Sequence, residues 1–572
     1  MTAQRAFHCV RDSYVAYDLL ITNATIVDGT GAAPFKGGVA VQDGKIAALG
    51  TIEGSAATVI DAAGKIVCPG FVDPHTHYDA QITWDRLLSS SAEHGVTTVV
   101  MGNCGVGIAP CRPADREWLA DDLVTVEGID KEVLTAGIAW EWETFPEYLD
   151  AAERRGSAIN LGFLAPITPF RTYVLGAQAN ERAATPAETK KIAAMLDEAL
   201  RAGALGFTTT ENGQHIGHSG KPLAARLADR NELAAYCGVL KRLHRGVIEL
   251  ALTRRYAALS AEEESLLKFL MDAGERPVTW LSLSNLADKP GAIEEILDRV
   301  EPLRRRGVVP QILTRPFVFD MNLRRPFMFT EMTAAKPIFD ASFEKQMEIY
   351  ADPAFRSAFK DELKLGRKWT GSVRGATVVS VVNPDLKPYE GMTVGEIAEQ
   401  RGQDPNDAFF DLTVADNLQV KFVVPRANND PRQLADMLRD PRTLIGLSDA
   451  GAHLDMLCES GYPTYFLGHW VREQRALTLE HAVQRITSEP ADYFGLKDRG
   501  RLKTGAAGDI VIFDKDKVAS PLRPSPVQDL PAGGTRLYCK AEGISQVIVN
   551  GQVLYRDGRH TGAMPGKVLR AA

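Results

Sequence analysis

Short apolar runs alternate with helical stretches through the middle of the chain. The runs at 66–72, 97–100, 159–164, 205–208, 247–252, 278–283, 308–313 and 443–447 are strand-length and rich in Val, Ile and Leu, the pattern of strands buried on both faces. Helix starts are marked between them. Thr185-Pro186-Ala187-Glu188 and Ser260-Ala261-Glu262-Glu263 are capping boxes, the first followed by Ile192, Met195, Leu196 and Leu200 at helical spacing. Eight strands alternating with helices predict an α/β fold. No Gly-x-Gly-x-x-Gly follows a strand, so a (β/α)8 barrel is preferred to an open dinucleotide-binding sheet.

The two ends have the rhythm of antiparallel strands with tight turns. Gly38-Val39-Ala40-Val41 and Lys45-Ile46-Ala47-Ala48-Leu49 flank Asp43-Gly44, and Gln546-Val547-Ile548-Val549 and Val553-Leu554-Tyr555 flank Asn550-Gly551. Both turns suit residues with φ > 0. Neither end has enough strand to stand alone. They are expected to join in one small β-sandwich over 17–71 and 499–572, leaving 72–498 to the barrel. From Thr314 to about Arg442 the chain is too long for one crossover and must be an excursion after strand seven. Its Phe317, Phe319, Met321, Phe327, Met328, Phe329 and Trp369 fit a subsidiary core, or an apolar lid or pocket wall at the catalytic face.

Charge and composition narrow the partners. Lys and Arg number 65 against 73 Asp and Glu, a net charge of −8, which disfavours a nucleic-acid surface. No apolar run is long enough to span a bilayer, and Met1 to Val10 lacks a secretory pattern. Seven scattered cysteines without a Cys-x-x-Cys pair fit a reducing cytoplasm better than a disulfide framework. The expectation is a soluble cytoplasmic enzyme acting on a small molecule. Self-association is common at this size, although no repeated apolar helix face points to an interface.

The candidate chemistry begins at Gly70-Phe71-Val72-Asp73-Pro74-His75-Thr76-His77, where the first barrel strand ends. Residues two apart in a strand share a side, so His75 and His77 both face the barrel axis and supply half of a divalent-metal site. Gly446-Leu447-Ser448-Asp449 ends the eighth strand, next to the first in a closed barrel. Asp449 there could take a proton from an activated water and return it to a leaving group. By itself it could equally cap the next helix. The two histidines in the adjacent strand favour the acid/base role.

These segments, with Gly102-Asn103-Cys104-Gly105, Thr487-Ser488-Glu489-Pro490-Ala491, Arg499-Gly500-Arg501-Leu502 and Gly508-Asp509-Ile510-Val511, resemble the amidohydrolase superfamily over nearly the whole chain. Within it they are most similar to the D-aminoacylase (N-acyl-D-amino-acid deacylase) branch. The resemblance implies a metal-bearing (β/α)8 barrel with a β-sandwich from both termini, one or two Zn2+ or other divalent ions, and hydrolysis of a non-peptide C–N bond by metal-activated water. It implies His75, His77 and Cys104 as ligands and Asp449 as acid/base and further ligand.

The chain departs from that branch in three places. The deacylases carry metal-binding histidines on strands five and six, where this chain has Glu249 and Ser282-Leu283-Ser284. Glu249 is either a replacement carboxylate ligand or the partner of an arginine such as Arg254 or Arg315. The deacylases' basic residue after strand six and their His-Pro-Arg step after the catalytic Asp are also missing, so Arg171 and Arg315 are the candidates to hold a substrate carboxylate. A less charged, bulkier amide is the expected consequence. His215 and His218, in the loop after strand four, could bind substrate or supply a missing imidazole, and His453 could bind substrate or orient Asp449. His94, His244, His481 and His560 read as structural. A cyclic amide or imide is the alternative substrate, weakened by the lack of a Lys in Gly206-Phe207-Thr208-Thr209-Thr210; a ligand-binding protein with a decayed metal site is the alternative of another class.

Overall fold

The computed structural model describes residues 16–571 except 219, 331, 340 and 365–372. Residues 1–15, Trp369 and the side chain of Phe327 lie outside what is described. The central strands form two parallel arcs. Phe71–Asp73, Val96–Met101 and Asn160–Phe163 make the first, and Ala165–Pro166, Gly206–Thr210, Val247–Ala251, Val278–Leu281, Val308–Ile312 and Leu444–Ile445 the second, in that spatial order. The arcs meet twice. Asn160–Phe163 runs through Leu164 into Ala165–Pro166, and an isolated parallel bridge joins Thr76 to Ala450. At that bridge the His77 N–H donates to the Ala450 carbonyl over 2.7 Å, and Ser448 Oγ donates to the His75 carbonyl over 3.2 Å.

The capping boxes form as the sequence predicts. Thr185 accepts from the Glu188 N–H at the start of Pro186–Ala202, and Ser260 from the Glu263 N–H at the start of Ala261–Gly274. Ile192, Leu196 and Leu200 then turn inward and are buried.

Both termini enter one nine-stranded sheet, in which Ile510–Phe513 pairs antiparallel with Ile66–Pro69. Period-2 alternation divides its side chains. Val67, Ile510, Ile512 and Ile548 join Ile21, Val39 and Val41 in a core of the sheet's own, while Ile66, Cys68, Val511, Phe513 and Val547 join the main core against the central strands. The turns have the expected backbone: φ is 52° at Asp43 and 73° at Gly44, 46° at Asn550 and 80° at Gly551. Two C-terminal pieces leave this sheet. Ser525–Val527 and Arg536–Tyr538 form their own hairpin, and Val568–Leu569 pairs in parallel with Asn160–Phe163.

The long segment after Val308–Ile312 builds a third core. Phe317–Met321, Lys421–Ala427 and Thr377–Ser380 form an antiparallel sheet around which Phe319, Met321, Met328, Phe329, Phe409, Phe410 and Phe422 are buried. Most of this segment's aromatic and Met side chains are therefore core. Phe319 also lies edge-on to the His453 ring, 6.0 Å between centroids, and Phe317 edge-on to Tyr256, 6.3 Å away. No described helix is long and apolar enough to cross a membrane.

Candidate metal centre

His75 and His77 leave the first strand on one side, with ring centroids 5.3 Å apart. Asp449 comes to them from beyond the eighth strand: its Oδ1 is 3.2 Å from His75 Nε2 and 3.6 Å from His77 Nε2. Cys104 Sγ is 3.5 Å from His75 Nε2. One donor atom from each of His75, His77 and Cys104 lies within 4.8 Å of the other two, and all three side chains are buried.

The backbone explains how Cys104 arrives. Val96–Met101 ends at Gly102, whose φ of 85° places the position of a Cβ 2.2 Å from the Leu164 carbonyl oxygen, so only glycine fits the turn. Asn103 then donates to the Thr76 and Val100 carbonyls and ties the turn to the first two strands. Cys104 itself has φ 59°, held by a hydrogen bond from its N–H to Glu249 Oε2 over 2.8 Å. Asp449 is also left-handed, at φ 47°. A non-glycine residue in that conformation carries strain of about 1–3 kcal/mol that the surroundings must hold.

Each imidazole is oriented from behind. His75 Nδ1 lies 2.8 Å from Gln311 Oε1, which turns Nε2 toward Cys104 Sγ and Asp449 Oδ1. His77 Nδ1 lies 3.5 Å from Glu127 Oε1. Neither Gln311 nor Glu127 was legible as a site residue. Gln311 sits in an ordinary apolar strand, and Glu127 ends the helix Arg116–Glu127 with no motif around it.

Acids crowd this pocket. Burial pushes the Glu249 carboxyl up to about 8, that of Glu127 up to about 7 and that of Asp79 up to about 6. Burial also opposes ionisation of Asp449, but the hydrogen bonds with His75 and His77 outweigh it and hold the carboxyl well below its usual range. At His77 burial disfavours the proton, yet Glu127 and Asp449 overcome it and raise the ring to about 9. Two imidazoles, one thiol and several carboxylates are buried together here, a set that a divalent cation can bind in place of the His77 proton. Glu249 Oε1 and His77 Nδ1 are buried without a hydrogen-bond partner, as expected where a charge balance is incomplete. The donor set therefore suits zinc: two nitrogens, one sulfur and a carboxylate oxygen.

The other sequence candidates fall elsewhere. Glu249 pairs with neither Arg254, which is bound to Glu211 and Glu262, nor Arg315. It accepts from the Cys104 N–H through Oε2, and its Oε1 lies 4.0 Å from His75 Nδ1. Arg171 is fully buried and hydrogen-bonded to Glu232 and to the Arg182 carbonyl. Arg315, equally buried, pairs with Glu459 at 3.2 Å and donates to the Pro521 and Leu522 carbonyls. Both arginines are thus paired with buried carboxylates of the protein itself. His218 is held by Asp122 Oδ1 at 2.9 Å, and His215 Nδ1 lies 2.8 Å from Thr210 Oγ1. The His453 N–H donates to the Glu127 carbonyl over 2.6 Å, linking the loop after Asp449 to the residue behind His77. His94 is buried between Thr464 Oγ1 and the Cys539 carbonyl, in a structural setting.

The amidohydrolase family model matches residues 58–555. The chain belongs to the amidohydrolase family. An uncharacterized protein of Mycobacterium tuberculosis is 31% identical over 96% of this chain and 93% of its own length. The D-aminoacylase of Alcaligenes xylosoxydans xylosoxydans is 27% identical over 97% of both chains. Among solved structures, the N-acyl-D-glutamate deacylase of Bordetella bronchiseptica, complexed with zinc and a phosphonate inhibitor that mimics the tetrahedral intermediate, superposes with a TM-score of 0.65 at 25% identity, covering 97% of this chain and all of that one. This amidohydrolase is therefore similar throughout its length to the D-aminoacylase-like branch, and it is an enzyme acting on non-peptide C–N bonds.

Proposed function

We propose that this amidohydrolase cleaves the linear amide of an N-acylated amino compound at a site built by His75, His77, Cys104 and Asp449. The carrying observation is the approach of Asp449 Oδ1 to within 3.2 and 3.6 Å of the two Nε2 atoms. The same reading takes the two parallel arcs, joined at Thr76 and Ala450, as a closed (β/α)8 barrel, with a curled sandwich domain from 17–71 and 499–572 and the excursion at about 314–442 as pocket wall. His75, His77, Cys104 and Asp449 would hold one divalent ion, zinc by the donor set; such an ion, when bound, supplies Lewis-acid polarisation of a carbonyl and makes water a nucleophile at neutral pH.

The protein's own residues do the rest. Gln311 orients the His75 ring and Glu127 backs His77, so both rings present Nε2 to the pocket. Asp449, ionised and 18% exposed at its side chain, accepts the proton of the attacking water and delivers it to the departing amine nitrogen. Its strained backbone and the Ser448 hydrogen bond to the first strand keep the carboxylate at the join of the two arcs.

With Arg171 and Arg315 occupied, the substrate is less charged and bulkier than a free N-acyl-D-amino acid. The Phe317 and Phe319 edge beside Tyr256 and His453 offers it an apolar contact. A cytoplasmic setting, on the scattered cysteines, belongs to the same proposal. The test is turnover of matched N-acyl-D-amino acids, their methyl esters and their neutral amides. Equal or better turnover of the neutral forms supports the reading. A strict carboxylate requirement overturns the substrate assignment. Preference for a dihydropyrimidine or hydantoin ring would replace the linear amide by the cyclic one.

A further inference from the structure

Strands that end near the metal centre begin at a second cavity. It holds about 630 Å3 and lies between the starts of the fourth, fifth and sixth parallel strands, the segment 492–499 and the C-terminal residues 567–571. None of the candidate metal-site residues lines it.

Its charge is unlike that of the chain. Seven Lys or Arg line it against three Asp, in a protein of net charge −8. Two of the acids are already matched, Asp492 by Arg501 and Asp498 by Arg499. Among the described residues, no carboxylate lies within 4.0 Å of the cationic nitrogens of Lys45, Arg245, Arg276, Lys497 or Lys567. Arg245 donates to the Leu200 and Ala571 carbonyls, and Arg276 Nε to the Gly246 carbonyl over 3.1 Å. Both guanidinium groups are thereby anchored by backbone, which neutralises no charge. Arg245 Nε is buried without a hydrogen-bond partner.

Five such cations around one cavity repel each other, and an anion removes that repulsion. Arginine's fork matches phosphate oxygens, and lysine adds point charge. Tyr493, Phe494, Val568 and Leu569 give the same cavity an apolar wall. The volume is in the range that takes a small organic ligand.

We propose that this cavity binds a phosphorylated small molecule bearing at least two negative charges, with Arg276, Lys497 and Lys567 on its phosphates and the wall at Tyr493 against its apolar body. The shared chemistry fits a nucleotide or inorganic pyrophosphate. Titration calorimetry of the full chain at low salt with ADP, and separately with pyrophosphate, distinguishes them. Saturable binding of ADP alone means that the apolar wall takes part; equal binding of both means recognition by phosphate. Arg276→Ala, and independently the exposed pair Lys497→Ala with Lys567→Ala, should each weaken binding at least tenfold, whereas His75→Ala should not. Among the described residues the lysine pair makes no hydrogen bond through its ammonium groups, so an unchanged melting temperature is expected and a folding defect in Arg276→Ala leaves the test intact. No saturable binding, binding retained in the charge variants, or binding lost in His75→Ala overturns the proposal; the last outcome places the phosphate at the metal centre.

Discussion

Cys104 and Glu249 are joined by one buried hydrogen bond, from the Cys104 N–H to Glu249 Oε2 over 2.8 Å. A buried carboxylate on the fifth strand therefore holds the backbone that presents the thiol. Glu249→Ala leaves that N–H unpaired inside the protein, and the left-handed turn at Cys104 loses its restraint. Divalent-ion affinity should fall about 10- to 100-fold, the range for residues that orient ligands. Glu249→Gln, which keeps an acceptor oxygen, should recover most of it. Competition with a calibrated chelator measures both; equal loss in the Ala and Gln variants would instead make Glu249 a ligand.

Asp449→Asn keeps an oxygen beside the two imidazoles but cannot accept the water's proton. Turnover should drop by at least about 100-fold with near-normal metal content. Unchanged turnover would refute the assigned role.

Arg315→Ala separates the two readings of that arginine. It leaves Glu459 buried and unpaired, so thermal unfolding should register a loss of about 3–5 kcal/mol. A raised KM at unchanged melting temperature would restore Arg315 as a substrate clamp.

The pH dependence of stability should carry the mark of His94. Burial pushes this ring down to about 4 from 6.5. Between those values the unfolded chain binds a proton that the folded chain does not, so stability is full above about pH 6.5 and falls as pH drops toward 4. The loss from this residue is on the order of 3 kcal/mol. Urea unfolding at pH 7.5 and pH 5 should show a smaller difference in His94→Gln than in the parent protein. An equal difference would assign the acid sensitivity elsewhere.

What could be read in the sequence was whatever repeats locally. His75 and His77 share a face because strand side chains alternate, and Asp449 could be placed beside them on the expectation that the last strand of a barrel returns to the first; an isolated bridge from Thr76 to Ala450 is where the structure brings them together. Asp43-Gly44 and Asn550-Gly551 announced turns through their backbone preference. Residues contributed across the fold gave no such signal. Gln311 and Glu127 reach the histidines from a mid-strand position and from a helix end. Arg171 and Arg315 stand near strand ends, where a clamp would stand, but only the fold shows that Glu232 and Glu459 occupy them. The aromatic run after Thr314 carried its meaning in part: it is mostly a core, because three strands far apart in sequence meet there.

Metal content per chain, by mass spectrometry on protein purified with neither added metal nor chelator, tests the central claim most directly. One equivalent of zinc or another divalent ion is expected, or two if a second ion joins the same donors, with its loss in His75→Ala while the fold is retained. Folded protein that is metal-free as isolated and takes up no added zinc would contradict it.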